Sequence, residues 1–433
     1  MPVTSTSRPF LAPALRRLAS MCLLIALGLG VLAAAAEGTA QERRRPEVAV
    51  IYFPSWHEDD HYSAWLGEGW NEWDLVESAR PRFEGHQLLK PAQDWGHFDE
   101  ADPEMMARQI DLASEFGVDV FIFDWYWYNG VKILHGALER GFLAAPNREE
   151  MKFATMWANH TWGNYFPYPY EDPFHIWLPM RHSPADFERV IQYHIDHYFN
   201  QPNYWRLDGG LYFSIFAPEE FVKQLGGPQK TKSVLEAARR QVADAGLGEI
   251  HFAGFTGIPE SVPSLREAGF DSLTSYNVTT ASLGLGQPDH PTVPYQRLIE
   301  GSEQFWDNMD TGELPYAPVV TVGWDVTYRW ENDVPWPPRN GHYPYTPVVV
   351  DNTPEKFGDL VRRALRHSAG SPESPPFILI NALNEWTEGS ALLPSTLHGN
   401  GYLEALKAAL EAPVDEPMEG VSAGPQAPAA RGA

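Results

Sequence analysis

Between Val48 and Glu388 the chain repeats one pattern: a short apolar run, then a helix-like segment or a long loop, then another apolar run. The runs are Val48–Phe53, Val118–Trp127, Lys152–Trp162, Gly210–Phe216, Ile250–Thr256, Asp271–Asn277, Tyr316–Asp325 and the stretch opening at Phe377. They are rich in β-branched and aromatic residues and apolar on both alternate positions, as strands buried on two faces must be. The intervening segments carry helix signals. In "DPEMMARQIDLASEFG" Asp102 suits the N-cap, Pro103 the first turn and Gly117 the stop. Helices are likewise expected near Lys132–Phe142, over Ala185–Phe199 and Ser233–Gly246, and ahead of the last three strands. Strict alternation of this kind calls for a parallel sheet with right-handed crossovers. Eight units over this length fit a (β/α)8 TIM barrel with enlarged loops on its C-terminal face. An open doubly wound sheet is the alternative. It usually has a glycine-rich phosphate turn after its first strand, whereas this one runs into "FPSWHEDDHYSAW".

The flanks read differently. Residues 1–36 have Arg16 and Arg17 ahead of "MCLLIALGLGVLAAAA" and small residues at Ala33–Ala36, the pattern of a cleaved signal peptide, and place the mature chain in the periplasm or outside the cell. Residues 37–46 then form a linker, 47–412 the barrel, and 413–433 a polar, proline-rich tail expected to be disordered. The single cysteine, Cys22, falls in the signal segment, so disulfide and thiolate chemistry are not expected in the mature chain. No later segment is long and apolar enough to span a bilayer, so no stable membrane anchor is expected after signal cleavage. A net charge of −25 repels phosphate backbones and argues against a nucleic-acid partner.

In a parallel barrel the chemistry sits where the strands end. His57 follows strand one; Asp124, Trp125 and Tyr126 end strand two; Trp157, Asn159, His160 and Trp162 end strand three. Tyr276 ends strand six, Trp324 and Asp325 end strand seven, and Asn384, Glu385, Trp386 and Glu388 end strand eight. Such a rim of carboxylates, histidines and tryptophans suits a carbohydrate, whose apolar ring faces stack on indoles. The chain has 16 tryptophans, more than a core of ordinary composition needs. Each residue also has a plainer reading: Glu388 as a loop cap, Glu385 paired with an arginine, Asp124 as a buried hydrogen-bond partner, His57 and His160 as loop histidines. Two acids at one strand end favour catalysis. "HEDDH" (His57–His61) has neither helical ligand spacing nor a second cluster, so no metal is expected, and no cofactor. A "G-x-S-x-G" elbow and a "G-x-x-x-x-G-K-S/T" loop are both absent from the sequence.

"NALNEWTEGSALLP" resembles the "N-E-W-x-E-G" motif of glycoside hydrolase family 99 and of the related WbsX-like glycosyltransferase group. Further stretches resemble them in the same order: "GEGWNEWDLVESARPRFEGHQLLKPAQDWGHFD", which contains Trp73, then "DPEMMARQIDLASEFGVDVFIFDWYWYNG", then "WANHTW" for the family's "WANENW". The resemblance implies a (β/α)8 barrel and a retaining α-glycosidase, with endo-mannosidase activity the best-known case. It implies a mechanism assisted by the substrate's 2-hydroxyl. Glu385 matches the base that deprotonates that hydroxyl, and Glu388 the general acid/base. His57, Trp73, Asp124, Trp125, Tyr126, Trp157, Asn159, His160, Trp162, Tyr276, Trp324, Asp325, Asn384 and Trp386 are the expected sugar-binding positions. Two places depart from the pattern: His160 stands where the family has glutamate, and "HEDDHYSAW" replaces a proline-containing stretch. An oligo- or polysaccharide is the expected partner. The alternatives are a glycosyltransferase of polysaccharide synthesis and a non-catalytic carbohydrate-binding barrel.

Overall fold

The structure is a computed structural model, and it describes residues 45–285, 291–338, 343–371 and 374–413. The signal segment 1–36, most of the linker 37–46, and the tail after residue 413 lie outside the described residues. The account below concerns the compact unit that begins at Pro46.

Eight parallel strands form the core: β1 (Glu47–Tyr52), β2 (Val120–Tyr128), β3 (Lys152–Trp157), β4 (Gly210–Ile215), β5 (Ile250–Phe255), β6 (Ser272–Thr274), β7 (Val319–Thr321) and β8 (Phe377–Asn381). They neighbour one another in the order β6-β5-β4-β3-β2-β1-β8-β7. The register sets Val48 beside Ile378, Ala49 beside Val120, and Leu379 beside Val319. The ring closes where Leu273 of β6 bridges in parallel to Tyr316, with Leu273 N–H donating to Pro315 at 2.8 Å and Ala317 N–H to Leu273 at 2.9 Å. The expected barrel is therefore present. Its strands are buried on both faces because side chains fill the interior while helices cover the outside.

The outer helices are α1 (Pro103–Glu115), α2 (Pro184–His197), α3 (Pro218–Leu225), α4 (Pro228–Asp244), α5 (Val262–Ala268), α6 (Tyr295–Met309), α7 (Pro354–Gly370) and α8 (Gly401–Glu411). Six of the eight have proline in the first turn, where no intrahelical N–H bond is lost. Asp102 caps α1 by accepting from Glu104 N–H, as its position in the sequence indicates. The helix α4 starts at Pro228, five residues before the expected Ser233, because Gly227 and Pro228 supply the entry turn.

One crossover differs from expectation. Lys132–Phe142 does not form an α-helix. Asn129 and Gly130 both take positive φ, 51° and 99°, and turn the chain back on itself. Val131–Ile133 then pairs antiparallel with the end of β2, Ile133 opposite Tyr126. "YNGV" is thus a hairpin signal that overrides the helical pattern after it. A single π-turn, Ala137–Gly141, follows. A Cβ on Gly141 would lie 2.1 Å from the Glu100 carbonyl oxygen, so the turn packs only with glycine there.

The long segment from Pro54 to Asp99 contains two short helices, Asp60–Leu66 and Trp73–Ser78. It lies against the C-terminal ends of β7 and β8: Glu72 meets Thr387, and His86 meets Asp325.

Candidate active site

The turn after β8 is built to hold its acids still. Asn384 is clamped to the end of β1, accepting from Phe53 N–H at 2.8 Å and donating to the Phe53 carbonyl at 2.9 Å. Asn384–Glu385 then pairs antiparallel with Ser390–Ala391, closing a small hairpin around the 3₁₀ turn Trp386–Glu388. Gly389 leaves that turn at φ +66°, and a Cβ there would come 2.8 Å from Cβ of Asp325. Asp325 N–H donates to the Glu388 carbonyl at 2.7 Å. The outcome is that Glu385 and Glu388, three residues apart, reach the same partner.

That partner is Arg329, on the turn Thr327–Arg329 after β7. Its Nη2 donates to Glu385 at 2.7 Å, its Nη1 to Glu388 at 2.6 Å, and its Nε to Thr387 at 3.0 Å. Glu72 stands 3.6 Å from Nη2 and accepts from the Thr387 hydroxyl. Tyr343 donates to Glu388 Oε1 at 3.0 Å. On the other side, the Tyr276 hydroxyl lies 3.0 Å from Glu385 and 3.0 Å from Asp124. One phenolic proton can serve only one of these two carboxyls. The second bond needs a proton from a carboxyl.

The electrostatics agree. Burial pushes the Glu385 carboxyl well above the ordinary carboxylate range, the neighbouring Glu388 adds to this, and Arg329 opposes it. Burial likewise raises Asp124 and Glu72. Burial works against the charge on Arg329, but Tyr343 and the three glutamates hold its pKa above the ordinary value. One guanidinium cannot neutralise four buried carboxylates, and burial holds Glu72, Asp124 and Glu385 above the ordinary carboxylate range.

Asp124, Arg329, Glu385 and Glu388 face a cavity of about 440 Å³ at the C-terminal face of the barrel. Of the residues expected from the sequence, Asp124, Tyr126, His160, Trp162, Tyr276, Trp324, Glu385 and Glu388 line it. The others are elsewhere, and period-two alternation explains half of them. Asp124 and Tyr126 point inward, so Trp125 between them points out, packing on His194 of α2 with ring centroids 4.4 Å apart. Met156, Ala158 and His160 line the cavity, so Trp157 and Asn159 turn away. Trp157 stacks on Phe187, and Asn159 ties down Ala217 and His182. Asp325 points away from Trp324 and binds His86 at 2.7 Å. Asn384 is the clamp on Phe53, and Trp386 is fully buried, 6.3 Å from Trp73. Trp73 itself packs on Trp56 and donates to the Phe98 carbonyl at 2.8 Å. His57 is paired with buried Glu100 at 2.8 Å.

Of the "HEDDH" stretch, Asp59 is also engaged within the protein. Asp59 caps the helix Asp60–Leu66 and accepts from Leu134 N–H. Among the described residues no group of three or more His, Cys, Asp or Glu is placed to hold a metal ion.

Sequence reading missed Arg329, Tyr343 and Glu72. A lone arginine in "GWDVTYRWEN" offered one clue, since a cation in an aromatic run needs buried acids. Its partners are 56 and 59 residues away, and no local pattern reports them.

A family profile described as "Glycosyltransferase WbsX" matches residues 48–406. The protein WxcX of Xanthomonas campestris pv. campestris, itself described as uncharacterized, is 28% identical over 372 residues, covering 84% of this chain and 49% of WxcX. The chain thus spans about half the length of the curated relatives it matches. Among solved structures, the GH99 endo-alpha-mannosidase from Bacteroides thetaiotaomicron superimposes with a TM-score of 0.53 at 16% identity, over 84% of this chain and 96% of that one. A "Glycoside hydrolase-like protein" superimposes with a TM-score of 0.56 at 15% identity, over 86% and 95%. Identities this low speak to the fold alone, a (β/α)8 barrel. The profile match over most of the sequence speaks to descent: the chain belongs to the WbsX glycosyltransferase family.

Proposed function

We propose that this chain is a retaining glycoside hydrolase acting on an α-linked oligo- or polysaccharide. The observation that carries the reading is the pair Glu385 and Glu388, clasped by one guanidinium and facing an aromatic-walled cavity at the strand ends. In this reading Glu385 takes the proton of the substrate's 2-hydroxyl, and O2 attacks C1 to form a 1,2-anhydro sugar. Glu388 gives its proton to the departing glycosidic oxygen in the same step. Glu388 then takes a proton from water, the water oxygen attacks C1, the C1–O2 bond breaks, and O2 recovers its proton from Glu385. The anomeric configuration is retained after two inversions.

Family membership makes transfer from a nucleotide sugar the second reading. The lining argues against it. A diphosphate would meet Asp124, Glu385 and Glu388, and Arg329, the one arginine or lysine among the described lining residues, is already bonded to two of these acids. A carbohydrate-binding barrel without catalysis would have no need to hold both acids in this geometry. We also take residues 1–36 as an export signal, which places the enzyme where no nucleotide-sugar pool exists; the N-terminal sequence of the exported protein tests this.

The test of the main reading is a glycan-panel digest, with α-mannosides included, and NMR of the released anomer. Wild-type protein is expected to release the α-anomer first, with no nucleotide-sugar donor present. Glu388→Gln is expected to lower kcat by at least about 10²-fold while sugar binding survives. Undiminished turnover in that variant, or product formed only with a nucleotide-sugar donor, rejects the assignment.

A further inference from the structure

The cavity is two-sided. Its glutamate pair and their arginine come from the ends of β8 and β7, which carry Glu385, Glu388 and Arg329, and β2 adds Asp124. Going round the barrel, β3 and β4 lie across from β7 and β8. The wall they contribute is Met156, Ala158, Trp162 and Phe216, with His160 among them. Trp162 and His160 have ring centroids 5.4 Å apart, and Phe216 closes on His160 at 5.6 Å. The polar handles near this wall are turned toward the protein. The Tyr165 hydroxyl donates to the Thr161 carbonyl at 3.0 Å. His160 uses Nδ1–H on the Thr161 carbonyl at 3.0 Å. Burial lowers the pKa of His160, so the ring is neutral and Nε2 is an acceptor.

Resting on the reading just given, sugar geometry orients the substrate. The reacting atoms C1 and C2 must face Glu388 and Glu385. In a pyranose the C4–C5 edge lies directly across the ring from C1–C2. That edge, with the exocyclic C6, therefore meets the β3–β4 wall. A primary hydroxyl at C6 would lose water there and compete for His160 Nε2, whereas a methyl group would fill the space against Met156, Ala158 and Phe216. A 4-hydroxyl, or an N–H at C4, could donate to His160 Nε2.

We propose that the sugar residue held at this site ends in a methyl group at its C4–C5 edge: a 6-deoxyhexose, or a hexose acylated at that edge. The preference over the parent hexose should be roughly 10–200-fold, the range for one small apolar group in a hydrophobic pocket.

The experiment is calorimetric titration of the full chain with matched methyl α-glycosides: L-rhamnoside against L-mannoside, L-fucoside against L-galactoside, and 6-deoxy-D-mannoside against D-mannoside. A further arm, methyl 6-O-acetyl-α-D-mannoside, separates an acylated hexose from a deoxy sugar. At least one methyl-bearing glycoside is expected to bind ten times more tightly than its partner. Ala158→Ser, which adds one hydroxyl to the wall, is expected to cut that ratio severalfold. Equal or tighter binding of the hydroxylated partners, or no measurable binding of any methyl-bearing glycoside, overturns the proposal. The corresponding aryl glycosides are assayed in parallel: a methyl preference in binding without hydrolysis upholds the wall assignment and removes the hydrolase reading instead.

Discussion

Arg329 is the residue on which the site turns. It is buried, and it bonds Glu385, Glu388 and Thr387 at once. Replacing it by methionine leaves carboxylates facing each other without a cation, and should cost about 3–5 kcal/mol of stability, measurable by denaturant titration. It should also move a pH profile. Glu385 is already raised by burial, and Arg329 is the group that opposes the shift. A base works only when deprotonated, so the acidic limb of kcat/KM should lie above the ordinary glutamate value near 4.3. In Arg329→Met that limb should move to still higher pH. A limb that stays in place would separate Arg329 from the proton balance of Glu385 and leave it a purely structural role. Asp124 and Tyr276 extend this cluster, and Tyr276 was legible in the sequence only as a strand-end aromatic; that it joins two acids was not.

At the scale of elements, the turn after β8 is a clamp. Asn384→Ala leaves both the N–H and the carbonyl of Phe53 unpaired in the core, at roughly 1–3 kcal/mol for each group, readable as a lowered denaturation midpoint. Gly389→Ala tests positioning more than stability. It forces a Cβ into a φ of +66° and against Asp325, shifting Glu388 relative to Arg329. A displacement of this kind should lower kcat/KM by about 10²-fold while the chain stays folded by circular dichroism. The elements also show where pattern reading succeeds and where it stops. Eight strands and most helices follow from local periodicity and capping, as at Asp102 and Pro103. The Lys132–Phe142 segment did not, because the Asn129–Gly130 turn acts first and tertiary packing against Glu100 selects a π-turn.

At the scale of the whole molecule, the barrel holds several carboxyls whose pKa burial raises. Burial raises Glu72, Glu100, Asp124 and Glu385 on folding. For a carboxyl raised on folding, the stabilising contribution is complete below its unfolded pKa and is lost as pH rises through the folded one. Asp124→Asn keeps the shape without the charge. Its stability relative to wild type should therefore rise from pH 4 to pH 8, by about 1.4 kcal/mol for each unit by which the native pKa was raised. Denaturant titrations of both proteins across that range give the difference directly. A difference independent of pH would mean that Asp124 is not raised in the native state.

The sequence by itself determined the barrel, its strand order and the end at which chemistry belongs. Those depend on the spacing of apolar residues and on caps, which are local and repeat along the chain. It also placed Glu385 and Glu388 together, since both lie in one short turn. Only the tertiary structure decided which rim residues face inward. Alternation along β2 and along β3 and the residues that follow it sends Trp125, Trp157 and Asn159 outward while Asp124, Met156 and His160 line the cavity. It alone showed that Arg329 and Glu72 converge on those two glutamates. Their neighbours are set by which loops the closed barrel brings to one face, and that closure is long-range: contacts such as Glu72 with Thr387, 315 residues apart, leave no periodic trace in the chain.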